Sequence, residues 1–150
     1  MKIPGTSLAS VAPRSTVLIR LAVGLIFFTQ GILKFTDPHW GVLRFTRIGF
    51  PYPGFTAHFV GVFEIACGFL VVLGLLTRFA SVPLLIINLT AIATTKIPEL
   101  FRPEQGFWFM VSDGRTDFAM CMGILFLILA GGGPWSIETR MARKTQETDV

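Results

Sequence analysis

Residues 17–35 read VLIRLAVGLIFFTQGILKF, an apolar run interrupted by four polar residues: Arg20, Thr29, Gln30 and Lys34. A helix of about 20 residues crosses the roughly 30 Å hydrocarbon core of a bilayer, because each residue adds 1.5 Å of rise. Three more apolar runs follow, and none shows the alternation of apolar and polar residues that a membrane barrel requires. These runs cover residues 55–76, 79–95 and 116–133. The sequence therefore predicts an all-α protein, an integral membrane four-helix bundle.

The composition supports this class. Apolar residues make up 52% of the 150 residues, charged residues make up 15%, and the mean hydropathy is +0.66. A soluble domain carries about 25% charged residues, so disordered, collagen-like and disulfide-rich soluble chains are excluded. The net charge is +4, but the 13 Lys and Arg residues lie singly in loops and at the ends of apolar runs. We therefore expect anionic lipid head groups and no nucleic acid as the counter-charge.

We expect one membrane domain, residues 15–138, between an N-terminal tail (1–14) and a polar C-terminal tail (139–150). No small-x-small cleavage site follows Phe28, so the first run is predicted to be an uncleaved span. Basic residues divide six against six between the two membrane faces, and Arg20 adds to the face of the termini. By this small margin the positive-inside rule predicts cytoplasmic termini.

The connections between the runs differ in length. A tight turn at Thr77 and Arg78 joins the second and third runs into a hairpin, whereas two longer loops are predicted on the opposite face. In the first loop, residues 40–50 are predicted to form a short interfacial helix. The second loop, residues 96–115, carries the aromatic stretch 107–109, which is typical of a membrane-interface belt.

Polar residues inside or beside the runs gather toward the face of the longer loops. Gln30 and Lys34 end the first run, Glu64 lies about two turns inside the second, Asn88 lies near the middle of the third, and Asp117 opens the fourth. A carboxylate within a span costs about 2.5–3.5 kcal/mol on insertion scales. Glu64 must therefore be paired, protonated or in a wet cavity.

Two interpretations of Glu64 stay open at this stage. It forms a structural ion pair with Lys34, Lys96 or Arg115, or it is a proton-accepting or ligand-binding group in a polar pocket. Helical spacing places small residues on the same face as the charges in each of the first two runs. These residues are Arg20, Gly24, Phe27, Gly31 and Lys34 in the first run, and Gly61, Glu64 and Gly68 in the second. Because small residues let helices approach closely, both faces are predicted to point into the bundle.

The remaining candidates have simpler explanations. Arg20 lies near enough to a membrane face to snorkel out of the bilayer. His39 and His58 lack the spacing of metal ligands, so no metal site is predicted. Cys67 and Cys121 are expected to be small packing residues or, alternatively, a redox pair across the bundle.

Four short motifs follow one another along the chain: Arg20-x3-Gly24 leading to Gln30-Gly31-Ile32-Leu33-Lys34-Phe35, Glu64-x3-Gly68, Gly74-x2-Thr77-Arg78, and Gly131-x-Gly133-Pro134-Trp135-Ser136-Ile137-Glu138. In their order and spacing they resemble the DoxX family of small four-span bacterial membrane proteins, in the wider group that contains DoxD and MauE. The resemblance covers roughly residues 15–138. It implies a four-helix bundle in the bacterial inner membrane with cytoplasmic ends. It also implies a link to redox chemistry, since relatives include a subunit of thiosulfate:quinone oxidoreductase.

The leading hypothesis is a membrane subunit of a redox system that docks a quinone and works with other redox subunits. Glu64 would accept or donate the quinone proton and Lys34 or Gln30 would orient a carbonyl, while Gln30, Asn88 and Asp117 would line the pocket. The sequence encodes no recognisable cofactor site, so the electrons would come from a partner. The alternatives are a non-enzymatic scaffold or assembly factor and, as a third hypothesis, a small-molecule or proton pathway formed by a homo-oligomer.

Overall fold

The computed structural model describes residues 14–101 and 106–141. Within these ranges the chain forms helices and turns and no strands. The helices are α1 (Thr16–Thr36), α2 (Val42–Ile48), α3 (Pro53–Leu73), α4 (Thr77–Ala91), a π-helical turn (Ile92–Lys96), α5 (Ile97–Leu100) and α6 (Gly106–Ala130).

The four long helices pack as a closed ring. Both α1 and α4 contact α3 on one side and α6 on the other, and the short helix α2 packs against α3. By length and composition, three helices are able to cross a membrane: α1, α3, and α4 with its continuation to Leu100. The apolar second half of α6 completes the ring. This is the all-α membrane bundle that the apolar runs predict.

The helix ends differ from the ends of the apolar runs. Helix α3 ends at Leu73, because Gly74 takes a left-handed conformation with φ of 71°. The third helix continues past residue 95 through the π-helical turn, and α6 begins at Gly106, ten residues before the predicted fourth span. The second connection is thus mostly helical. Hydropathy marks only the part of a helix that lies in lipid, so it misses helical turns that carry charges at the membrane face.

Glycines bring α1 and α3 into backbone contact. A Cβ atom on Gly68 would lie 2.8 Å from the backbone nitrogen of Phe28 and 2.9 Å from the carbonyl oxygen of Gly24. A Cβ atom on Gly31 would lie 2.8 Å from the carbonyl oxygen of Gly61. The prediction that these small-residue faces point into the bundle is confirmed.

Arg20 and Arg78 hold the far end of α6. The guanidinium of Arg20 is buried, and its Nη1 donates a hydrogen bond of 2.7 Å to the carbonyl oxygen of Gly132. Nη2 of Arg78 donates one of 3.0 Å to the carbonyl oxygen of Leu129. The last carbonyls of a helix have no partner within the helix, so cationic donors stabilise them. The expectation that Arg20 snorkels is wrong, because the carbonyls at the end of α6 draw its side chain inward.

Replacing Gly68 by Ala is expected to lower the free energy of unfolding by about 1–3 kcal/mol, because the new methyl group has no room between two backbones. The melting temperature of the purified protein in detergent measures this effect. Gly54→Ala is the matched control, since a Cβ atom there has no neighbour within 4 Å. Equal melting temperatures for the two variants would contradict the close α1–α3 packing.

Candidate functional site

A cavity of about 340 Å³ lies between the long helices, on the side of the bundle where α2 packs. All four long helices and α2 contribute to its wall. Ligand sites in proteins are typically concave, mostly apolar and about 300–1,000 Å³ in volume. Its lining residues include four phenylalanines: Phe27, Phe45, Phe50 and Phe59. The cavity is therefore large enough, and apolar enough, for a small aromatic molecule.

All five residues singled out in the sequence line this one cavity. Gln30 and Lys34 come from α1, Glu64 from α3, Asn88 from α4 and Asp117 from α6. Four helices thus bring together polar groups that are up to 87 positions apart in the sequence. Their roles in catalysis or binding stay predictions.

Lys34 and Glu64 form a buried ion pair. Nζ of Lys34 lies 2.5 Å from Oε2 of Glu64, and the two side chains are 11% and 5% exposed. Each follows, by three residues, one of two contacting glycines, Gly31 and Gly61. The close approach of the two backbones therefore sets the distance between the charges. Of the three partners that the sequence allows for Glu64, the structure selects Lys34.

Some polar groups on this wall keep unused hydrogen-bonding capacity. In the described part of the chain, Oε1 of Glu64 accepts no hydrogen bond, and the side-chain amide of Gln30 makes none. Neither group is among the fully buried unpaired atoms of the described residues, so both face the open space of the cavity. Groups that are left open beside a cavity are available to a bound molecule.

The opposite wall carries a second charged group. Lys96 forms ion pairs with Asp113 and with Asp117, whose Oδ2 lies 3.9 Å from Nζ. Nδ2 of the buried Asn88 donates a hydrogen bond of 2.9 Å to the backbone oxygen of Asp117. Lys96 therefore pairs with α6 and not with Glu64. Asn88 holds α4 against α6 at the level of the cavity.

Among the residues of the wall that sequence reasoning missed are Arg44, Thr94 and Thr95. Arg44 belongs to α2, and its guanidinium carbon lies 5.7 Å from the centre of the Trp40 ring. The two threonines lie in the π-helical turn, a distortion often found at functional sites. Arg44 could have been suspected from the sequence, because it is a basic residue within the predicted interfacial helix. No pattern in the sequence predicts the π-helical turn.

Other candidates lie outside the cavity lining. Nδ1 of His58 lies 2.6 Å from the carbonyl oxygen of Gly54, one helical turn before it. Cys67 and Cys121 are both buried free thiols. Among residues 14–101 and 106–141, no group of three or more His, Cys, Asp and Glu side chains is placed to hold a metal ion.

The DoxX family model matches residues 15–97, from the start of α1 to the start of α5. The chain belongs to the DoxX family. The matched region holds four of the five cavity residues singled out in the sequence. The fifth, Asp117, lies beyond it.

Two curated relatives extend this comparison. The "Uncharacterized membrane protein Rv3486" of Mycobacterium tuberculosis (strain ATCC 25618 / H37Rv) is 47% identical over 137 residues, covering 88% of this chain and 84% of the relative. The "Putative oxidoreductase CatD" of Bacillus subtilis (strain 168) is 32% identical over 116 residues, covering 77% and 78%. No solved structure matches the chain.

Removing one member of the buried ion pair is expected to destabilise this DoxX protein by about 3–5 kcal/mol, because a buried charge is left without a partner. Lys34→Met and Glu64→Gln should each lower the melting temperature in detergent. The double variant should lose less than the sum of the two changes, since neither charge is left unpaired.

Glu138→Gln serves as the control for this cycle, because Glu138 is exposed beyond the end of α6. It should leave the melting temperature unchanged. Strictly additive losses in the double variant would show that the Lys34–Glu64 contact contributes nothing.

Proposed function

We propose that this DoxX protein is the membrane subunit of a quinone-linked redox system, located in the bacterial inner membrane with both termini in the cytoplasm. The observation that carries the proposal is the buried Lys34–Glu64 pair on the wall of an aromatic-lined cavity within the bundle. An ion pair that only stabilised the fold would not need a cavity beside it. Here the carboxylate keeps one oxygen free of hydrogen bonds to the described residues.

The residues of the cavity fit a quinone. A bound quinone supplies the electron acceptor, and its reduction to the hydroquinone takes up two electrons and two protons. The aromatic side chains offer flat apolar surfaces for a ring. The ammonium of Lys34 and the amide of Gln30 are donors suited to a ring carbonyl, and the open oxygen of Glu64 is suited to hold and transfer a proton.

The cavity also reaches the outer, lipid-facing surface of the bundle. Phe59 of α3 and Ile86 of α4 both line it, yet they are 53% and 60% exposed, and their helices are neighbours in the ring. Phe59 lies six residues after the start of α3, which corresponds to about 9 Å along the helix axis. This position suits entry of a molecule dissolved in the bilayer.

A partner must deliver the electrons. The sequence carries no recognisable motif for a redox cofactor, and no group of three or more His, Cys, Asp and Glu side chains among the described residues is placed to hold a metal ion. The name of the Bacillus subtilis relative, which refers to an oxidoreductase, agrees with a role beside a redox enzyme. We therefore place this chain as the quinone-docking subunit and the redox cofactor in a companion subunit.

A scaffold role is the second candidate, and exposed aromatic residues favour it. Three aromatic side chains near the start of α6 are exposed. They are Phe107 and Trp108 in the first turn of α6 and Phe101 after α5. Aromatic residues are enriched where proteins meet. Trp108→Ala should weaken co-purification of partner subunits if this surface assembles a complex.

Quinone binding is expected to quench the fluorescence of Trp40, which lies beside the cavity residue Arg44. The measurement uses protein in lipid nanodiscs, with Trp108 and Trp135 replaced by Phe, titrated with decylubiquinone or menadione. Quenching should saturate in the parent protein. Lys34→Met and Gln30→Leu should each weaken binding by about ten-fold or more, since each removes a donor to a ring carbonyl.

Glu138→Gln is again the control and should bind like the parent protein. Linear quenching that never saturates, with the same slope in every variant, would mean that the quinone only partitions into lipid. That outcome would overturn the proposed function.

A further inference from the structure

Arg44 is a cation on the cavity wall that forms no ion pair with a described carboxylate, although its charge acts on Glu64 at longer range. In the regions that the structure describes, its guanidinium makes no hydrogen bond, and its guanidinium carbon lies 5.7 Å from the centre of the Trp40 ring. Lys34 already neutralises Glu64 on the same side of the cavity. The wall formed by α1, α2 and α3 therefore carries one positive charge more than negative.

The opposite wall has the reverse balance. Of the described charged side chains on α4, the π-helical turn and α6, Asp117 alone lines the cavity, and Lys96, whose Nζ lies 3.9 Å from its Oδ2, does not. Asp113 is 45% exposed and does not line the cavity, whereas Asp117 does. The cavity therefore has a positive and a negative side. An anionic group on a bound molecule would be attracted to Arg44 and repelled from Asp117.

We propose that Arg44 makes this cavity selective for quinones that carry an acidic ring hydroxyl and bind as anions, such as 2-hydroxy-1,4-naphthoquinone. The inference rests on the proposed function and names the ligand class of the same site. In such an anion the negative charge is shared between the oxygens on C2 and C4, and the carbonyl oxygen on C1 lies next to the charged oxygen on C2, so the C1 and C2 oxygens form an adjacent pair of acceptors. A planar guanidinium can donate to both oxygens at once, which is the geometry in which arginine binds planar anions most strongly.

The surroundings of Arg44 favour this interaction. Phe45 and Phe50 lie on the same part of the cavity wall, and the Arg44 side chain itself is half-buried. An ion pair that is partly removed from water is stronger than one at a fully exposed surface. A neutral quinone of the same shape would receive hydrogen bonds from Lys34 or Gln30 but would not gain this charge pairing.

The test compares two ligands of nearly equal shape, 2-hydroxy-1,4-naphthoquinone and 1,4-naphthoquinone. Binding is measured by equilibrium dialysis at neutral pH with protein in phosphatidylcholine nanodiscs, and empty nanodiscs correct for partition into lipid. Zwitterionic lipid keeps anionic head groups from competing for Arg44. The parent protein should bind the hydroxyquinone about ten-fold more tightly, as expected for one charge-assisted interaction.

Arg44→Gln should bring the two affinities to within about two-fold of each other. The matched control is Arg47→Gln, because Arg47 lies one turn later on α2, is exposed and does not line the cavity. It removes the same net charge and should keep the preference. The melting temperature of each variant verifies that the bundle is intact.

Each outcome bears on a different claim. Equal affinities for the two ligands in the parent protein would overturn this inference and leave the proposed quinone site standing. A preference that survives Arg44→Gln, or that disappears equally in Arg47→Gln, would overturn the role of Arg44. If neither naphthoquinone binds above empty nanodiscs and the Trp40 titration shows no saturation either, the proposed function itself fails.

Discussion

The contact between the backbones of α1 and α3 is the constraint on which the rest of the structure depends. Gly24 and Gly31 on α1 meet Gly68 and Gly61 on α3 so closely that a methyl group at three of these positions would lie within 3 Å of a backbone atom. In a membrane no hydrophobic force pulls helices together, so association relies on close packing and polar contacts. The glycines permit the close packing, and the Lys34–Glu64 pair, one turn away, provides the polar contact.

The two ends of the bundle use charge differently. At one end Arg20 and Arg78 donate to carbonyls after and within the last turn of α6, so these cations serve the architecture. At the other end the charges surround a cavity. There, Oε1 of Glu64 and the side-chain amide of Gln30 make no hydrogen bond to the described residues. An apolar core that includes Val23, Val71 and Leu84 separates the two ends. The cavity and the charged groups around it therefore lie at one end of the bundle.

Helix α2 changes the character of the cavity. Without α2, the charged and polar groups of the site would be the Lys34–Glu64 ion pair on one wall and Asn88 and Asp117 on the other. With it, Arg44 adds a charge that none of the described carboxylates cancels by an ion pair, and Phe45 and Phe50 add apolar surface. A short helix between two spans thus contributes the cation on which the proposed preference for anionic ligands rests.

The sequence by itself determined the class of fold and much of the site. Long apolar runs without the alternation of a barrel strand form helices in a bilayer, because a helix satisfies every backbone group within its own segment. The cost of burying Glu64 identified it as a key residue, and helical periodicity placed the glycines and charges on inward faces. Tertiary structure alone decided which cation pairs with Glu64, since Lys34, Lys96 and Arg115 all lie at the same depth and only helix packing orders them. It also decided that Arg20 turns inward and that Arg44 reaches the cavity, because both outcomes depend on segments distant in sequence.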